Sequence, residues 1–369
     1  MSKTMNAGRY RRQLLATVSS MALLGSIHGA MAEADHPQVW IELNWQYDRL
    51  SGMGDPYLPP FTDKVVQAGF HSPAFAEKAV PFAYGGGGSL SFHPESSDWI
   101  FSASVRYGRS HGRKGIHEQT PGGPRHVEII TPSAVHTGYL TPVPVRFSET
   151  KASNGETHAI LDFQAGKEVG LGMFGHGGDS IFKFGLRFAQ FDTKRSTGIH
   201  ADPDFYFPSK ILKYDQFHHT YTVTSHIDRG LRGLGPSISW NASAPLAGDL
   251  DAGEVALDWG VNAAALFGRQ RTRGHHQTTG AYYKTNILQK YHLNMPIARS
   301  GNPDRSRSVV VPNLGGFAAL SLRYSNAKIS LGYRGDFFFG ALDGGIDMRK
   351  STALGFNGPF ASIGVGVGD

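Results

Sequence analysis

Phe182-Lys183-Phe184-Gly185-Leu186-Arg187-Phe188-Ala189 is the stretch whose reading decides the fold. Successive side chains of a β-strand point to opposite faces. One face of this run therefore carries Phe182, Phe184, Leu186 and Phe188, and the other Lys183, Gly185, Arg187 and Ala189. The same period recurs along the chain. Val39, Ile41, Leu43, Trp45 and Tyr47 alternate with Trp40, Glu42, Asn44, Gln46 and Asp48. Phe101, Ala103, Val105 and Tyr107 alternate with Ser102, Ser104, Arg106 and Gly108, and Ile329, Leu331, Tyr333, Phe337 and Phe339 alternate with Lys328, Ser330, Arg334 and Asp336. Segments 82–93, 158–171, 217–228, 235–244, 254–270, 308–324 and 354–368 read as further strands.

Length separates a soluble sandwich from a membrane barrel. Soluble strands run to about five or six residues, whereas a membrane-crossing strand needs roughly nine to eleven. The segments here belong to the longer class, with an aromatic-rich apolar face opposite a face of Gly, Ser and charged residues. That is the pattern of a barrel with lipid outside and a polar interior. Composition agrees. Charged residues make up 18% of the 369 residues, with 47 Gly, 23 Phe, 14 Tyr and no Cys. The missing cysteines exclude disulfides, thiolate zinc sites, Fe–S clusters and a lipid-anchored cysteine.

Long links near 50–80, 111–156 and 195–216 alternate with short ones at 93–97, 172–179, 229–235 and 325–326, as expected for long outer loops and short inner turns. Eleven segments are visible. Since single-chain barrels have even strand numbers, a twelfth is expected near 279–291, around Tyr282, Tyr283, Ile287 and Tyr291. The expected fold is an all-β transmembrane antiparallel barrel of about twelve strands, with ten or fourteen as alternatives.

At the N-terminus, Lys3, Arg9, Arg11 and Arg12 precede an apolar run from Leu14 to Ile27 and then Ala30-Met31-Ala32, the three parts of a secretory signal peptide. Residues 1–32 are read as that signal and 33–369 as the barrel. Cleavage removes four cations and lowers the formal charge from +6 to +2. The apparent basicity then no longer supports a nucleic-acid partner. Arg11-Arg12 also resembles a twin-arginine signal, although paired arginines occur in ordinary signals as well.

Lys167-Glu168-Val169-Gly170-Leu171-Gly172 and Leu186-Arg187-Phe188-Ala189-Gln190-Phe191 resemble outer-membrane proteins of the Legionella major outer-membrane, pore-forming type. So do Gly235-Pro236-Ser237, Leu257-Asp258-Trp259-Gly260-Val261-Asn262 and Gly332-Tyr333-Arg334-Gly335-Asp336-Phe337-Phe338. The resemblance covers roughly residues 158–369. It implies an outer-membrane barrel, a pore among its functions, and no catalytic residues to carry over. Such barrels end on an aromatic residue, whereas this sequence ends Gly368-Asp369.

A charge facing lipid costs about 2–4 kcal/mol near the midplane, so the strand charges are expected to line the lumen. The cations are Arg106, Lys183, Arg187, Arg323, Lys328 and Arg334. The anions are Glu42, Asp48, Asp162, Glu168, Glu254, Asp258 and Asp336, with Asn44, Gln46, Gln164 and Asn262 as neutral companions. They form either a selectivity-setting wall or a salt-bridged network that fills a narrow barrel. The near balance of sign argues against strong ion selectivity.

Other constellations are weaker. Gly85 to Gly88 lacks the Lys and helix of a phosphate loop and reads as room for close backbone approach. His218, Thr220, Thr222, Thr224, His226 and Asp228 share one strand face and read as a polar lumen row. Ser225 then lies on the face opposite His226, against a hydrolase pairing. His275-His276 lacks a carboxylate at ligand spacing, so no metal is expected. The Arg269 to Arg273 cluster suits a solvated turn or anionic groups at a membrane surface.

The expected function is a passive pore for small hydrophilic solutes in the outer membrane, in contact with outer-membrane lipid and lipopolysaccharide. A structural or adhesive barrel acting through its loops is the alternative, and a lipid-modifying barrel enzyme ranks below both. No enzyme activity, cofactor or nucleic-acid partner is expected.

Overall fold

A computed structural model describes residues 39–54, 82–95, 97–119, 126–131, 134–139, 147–169, 179–202, 215–286 and 291–367. Residues 1–32, expected from the sequence to be a signal peptide, lie outside them. Thirteen strands follow in order: β1 Val39–Ser51, β2 Phe82–Phe92, β3 Trp99–Gln119, β4 His126–Thr131, β5 Ala134–Tyr139, β6 Phe147–Glu168 and β7 Asp179–Asp202. Then come β8 Asp215–Ala247, β9 Glu254–Asn286, β10 Tyr291–Gly301, β11 Asp304–Tyr324, β12 Ala327–Asp343 and β13 Ser351–Val367.

Ten of these close a ring, in the order β1-β2-β3-β6-β7-β8-β9-β11-β12-β13 and back to β1, with every pairing antiparallel. A path perpendicular to the strands starts at Val39 and crosses Phe92, Phe101, Ala165, Phe184, Ile238, Ala263, Leu314, Phe337 and Gly355. It returns to β1 at Ser51, twelve residues on from Val39. That stagger is the shear of a tilted, closed barrel, in which each of the ten ring strands pairs on both sides, while β10 pairs only with β9. β4 and β5 form a separate two-stranded hairpin between β3 and β6.

The strand number is ten, the lower of the two alternatives, and the segment boundaries explain the difference. The stretches 217–228 and 235–244 are one strand, β8, with no turn at Arg229 to Gly235. Among the described residues no separate twelfth strand spans 279–291, and Ile287 lies outside them. Residues 279–286 are the outer end of β9, and β10 pairs with them in the register that β11 keeps with the rest of β9. β10 and β11 are thus one line of chain interrupted at Asn302-Pro303, where proline supplies no ladder N–H. Much of the expected long links is also strand. β3 and β6 stay paired out to Gln119 and Phe147, and β7 reaches Asp202.

Burial reveals why β8 reads as two strands. Near the short-turn end the apolar residues face outward: Leu234 and Ile238 on β8, Phe182, Phe184 and Leu186 on β7, and Phe267 on β9 are exposed. Toward the long-hairpin end the phase inverts, and Val223, Ile227 and Leu231 of β8 face inward. β7 does the same with Phe191, Ile199 and Ala201. The first half is a barrel wall for an apolar surround, and the second buries its apolar face like a soluble sheet. The switch falls within Arg229 to Gly235.

This inversion also overturns the polar lumen row at 218–228. Thr222, Thr224 and His226 face outward, while Val223, Ser225 and Ile227 face in. Within the segment 354–368, Phe360 faces inward and is buried, while Ile363, Val365 and Val367 are exposed.

Candidate functional site

The inner face is stratified along the barrel axis. Nearest the short turns, Asp258 of β9 accepts from Arg323 and Ser321 of β11 and lies 2.8 Å from Lys328 Nζ of β12. Glu254 stands 3.8 Å from Arg323. Glu168 lies exposed at the short-turn end of β6, a rim position, while Glu42 and Lys183 lie half-buried on the inner faces of β1 and β7.

Further in, two arginines cross the interior. Arg187 of β7 grips its register partner Asp162 of β6 through Nε at 2.6 Å and Nη2 at 3.0 Å. Its Nη1 donates across to Asn262 of β9 at 2.6 Å and to Asn313 of β11. Arg106 of β3 reaches Asp336 of β12 at 2.5 Å. Asp48 accepts from Gln46 Nε2 at 2.5 Å. Such bidentate and charge-assisted bonds hold planar guanidinium groups in fixed positions. Arg334 is held differently, its guanidinium 4.7 Å from the Phe360 ring centroid and 5.6 Å from that of Phe317. Those distances are cation–π contacts.

Gly315 makes the crossing possible. A Cβ there would collide with the Asp336 carboxylate and the Asn262 amide, so only glycine leaves space for both on the inner wall.

Above the charges lies an apolar layer. Leu50, Ala83, Ile160, Phe191, Leu231, Leu266, Val311, Phe338, Leu354 and Phe356 pack into one buried cluster supplied by nine of the ten ring strands. Phe191 and Phe338 meet edge-on with ring centroids 4.6 Å apart, and Phe356 stands 5.5 Å from Phe191. The cavity between this layer and the charged one is lined in part by Gln46, Asp48, Arg106, His158 and Phe356. It measures about 10 Å³, about room for one water.

A third layer caps the second. The link 344–350 between β12 and β13 folds inward after a β-bulge at 339–341, where Gly340 takes φ 69°. Arg229 of β8 donates through Nε to the Asp343 carbonyl at 2.9 Å and through Nη2 to that of Gly344 at 3.1 Å. Arg305 of β11 bonds the Asp343 carboxylate at 2.8 Å, Ile346 O at 2.7 Å and Gly345 O at 3.2 Å. His276 Nε2 lies 2.5 Å from Asp347 Oδ1.

Neither the apolar layer nor the capped link belongs to the sequence-derived residue set. Phe338 carried a signal in Phe337-Phe338-Phe339, where strict alternation puts the middle ring on the opposite face. The Arg229 and Arg305 contacts join residues more than a hundred and about forty positions from their partners, which no local pattern displays. Among the described residues no group of three or more His, Asp or Glu side chains is placed to hold a metal ion. His226 pairs with Asp228 at 3.3 Å on the outer face, and Ser225 is buried facing inward.

The fold and its interior define a class: a closed ten-stranded antiparallel β-barrel with an apolar outer belt and a filled lumen. No protein-family model and no curated protein matches the chain. Solved structures overlap it loosely. The transport unit of the autotransporter AIDA-I from Escherichia coli is 7% identical over 95% of this chain and 97% of its own, with a TM-score of 0.25. The Ralstonia pickettii toluene transporter TbuX is 7% identical over 90% of each chain, at 0.19. A mutant of the monoaromatic hydrocarbon channel TodX is 10% identical over 89% of this chain and 91% of its own, at 0.21. Scores this low assign no function; the class rests on the strand register and the faces described above.

Proposed function

We propose that the chain is an outer-membrane β-barrel, closed in its membrane-embedded half, that acts as an anchored surface structure. The observation that carries this is the apolar layer centred on Phe191, Phe338 and Phe356, contributed by nine strands and capped by residues 344–350. An apolar constriction of this kind excludes water and ions by dewetting. Beyond the belt, β9 continues from Phe267 to Asn286, on the order of 60 Å along the strand. That extension is a wall available to outside partners. Outer-membrane lipid, including lipopolysaccharide, is the surround for the belt, and the export-signal pattern of residues 1–32 fits delivery to that membrane.

A passive pore for small hydrophilic solutes is the second reading, favoured by the charged wall of Arg106, Asp162, Arg187 and Asp336 below the apolar layer. Planar-bilayer recording of the purified, refolded protein separates the two. Absence of steady current supports the closed barrel; stable ohmic steps from the unaltered protein would establish the pore.

A further inference from the structure

The outer wall carries a basic concavity at the upper edge of the apolar belt. It measures about 770 Å³ and is lined chiefly by outward-facing residues of β7, β8, β9 and β11, among them Lys194, Arg232, Arg269, Arg271 and Arg273. Its position is fixed by the strands. On β8, Arg232 is the next outward-facing residue beyond Leu234, which is 51% exposed. On β9, Arg269 is the next beyond Phe267, which is 60% exposed. Each step of two residues is roughly 7 Å along the strand. The guanidinium groups therefore stand where an apolar surround gives way to headgroups.

Charge within the concavity is only partly matched: five outward cations, Lys194, Arg232, Arg269, Arg271 and Arg273, face three carboxylates. Asp304 pairs with Arg273 at 3.2 Å, while Asp192 accepts from the neutral Gln190 amide at 2.8 Å and Asp228 lies 3.3 Å from His226. Arg232, Arg269 and Arg271 have no ion pair among the described residues; Arg269 donates only to the Ser306 hydroxyl at 2.7 Å. Arg232 and Arg269 are moreover direct cross-strand partners. Like charges directly opposite on a sheet destabilise it. Three arginines held together on an open concave face, two of them opposed, present a site for an anion with several oxygens.

We propose that this concavity binds the phosphate groups of a membrane lipid headgroup, with Arg232, Arg269 and Arg271 as the binding residues. A lipid is preferred to a soluble phosphate because the site adjoins Leu234, Phe267 and the exposed Val310, against which acyl chains would lie. The proposal rests on the membrane reading, and the two fail separately. Partitioning into aqueous buffer without detergent defeats the membrane reading; the titration below, run on the folded barrel in zwitterionic detergent, addresses only the site.

Native mass spectrometry of the full-length folded protein would be titrated with diphosphoryl lipid A, with the same lipid after dephosphorylation, and with inorganic phosphate. The expected result is retention of the phosphorylated lipid, with at least tenfold weaker retention by Arg232→Gln/Arg269→Gln/Arg271→Gln. The dephosphorylated lipid should bind weakly to both. A control removing three cations elsewhere, Arg109→Gln/Arg113→Gln/Lys151→Gln, should bind as the unaltered protein does. Equal loss in the control would reduce the effect to net charge and overturn the site. Equal binding of the dephosphorylated lipid, or arginine-dependent binding of inorganic phosphate with no preference for the lipid, would also overturn it. Should the triple variant fold poorly, Arg271→Gln alone replaces it, with a smaller loss in the same direction.

Discussion

Arg106 on β3 and Asp336 on β12 are separated around the ring by β13, β1 and β2, yet their side chains meet across the interior at 2.5 Å. The pair ties opposite parts of the wall, as Arg187 of β7 also does by reaching Asn262 of β9 and Asn313 of β11. Removing one partner of a buried pair strands the other charge and costs about 3–5 kcal/mol. Asp336→Leu and Arg106→Leu should each lower stability by that order. The double variant should recover much of the loss, because two apolar side chains leave no orphaned charge. Urea titration of the folded barrel in detergent, followed by heat-modifiable gel migration, measures all three.

The apolar layer is expected to be the barrier to conduction. Phe191→Ser/Phe338→Ser/Phe356→Ser removes the three packed rings and leaves small polar groups in their place. Bilayer recordings should then show current where the unaltered protein shows none. Phe338→Ala alone should destabilise by about 3–5 kcal/mol, the usual result of truncating a buried Phe, without opening a wet path. Current unchanged by the triple substitution would place the barrier elsewhere, with the capped link the next candidate.

That link is held by Arg229 and Arg305, whose hydrogen bonds to backbone carbonyls and Asp343 are charge-assisted, each contributing about 1.5–3 kcal/mol. Arg229→Gln/Arg305→Gln should free residues 344–350 while leaving the ring intact. Arg349 and Lys350 are exposed tryptic sites on the link. Limited trypsin digestion should therefore cut there faster in the double variant, and the ten-stranded core should remain resistant.

The strand faces of the belt were legible because bulky apolar residues such as Phe182, Phe184 and Leu186 have one place to go when the surround is apolar. Strand count was less legible. Val223, Ile227 and Leu231 follow the same period as Leu234 and Ile238 but the opposite phase, and the glycines at 230, 233 and 235 lie across the change. Read locally, a phase change and a turn look alike. The charge-crossing contacts, such as Arg187 to Asn313, depend on barrel diameter and shear, which follow from register around the whole ring and not from any one segment.

The phase inversion itself can be tested on two strands. Leu331 of β12 is 65% exposed on the outer face within the belt. Leu331→Arg should place a charge in hydrocarbon and weaken assembly by about 2–4 kcal/mol if it lies near the midplane. Thr224 of β8 also faces outward, but beyond the switch. Thr224→Arg should therefore fold as the unaltered protein does. Ile227 of β8 faces inward at 1% exposure. Ile227→Arg buries an unpaired charge and should impair folding in detergent as well as in bilayers, because its environment is protein and not lipid. Refolding yield into vesicles and into micelles distinguishes the three. A defect from Thr224→Arg confined to vesicles would extend the belt past Leu231 and abolish the inversion. Normal vesicle assembly of Leu331→Arg would remove the lipid-facing surface on which the membrane assignment depends.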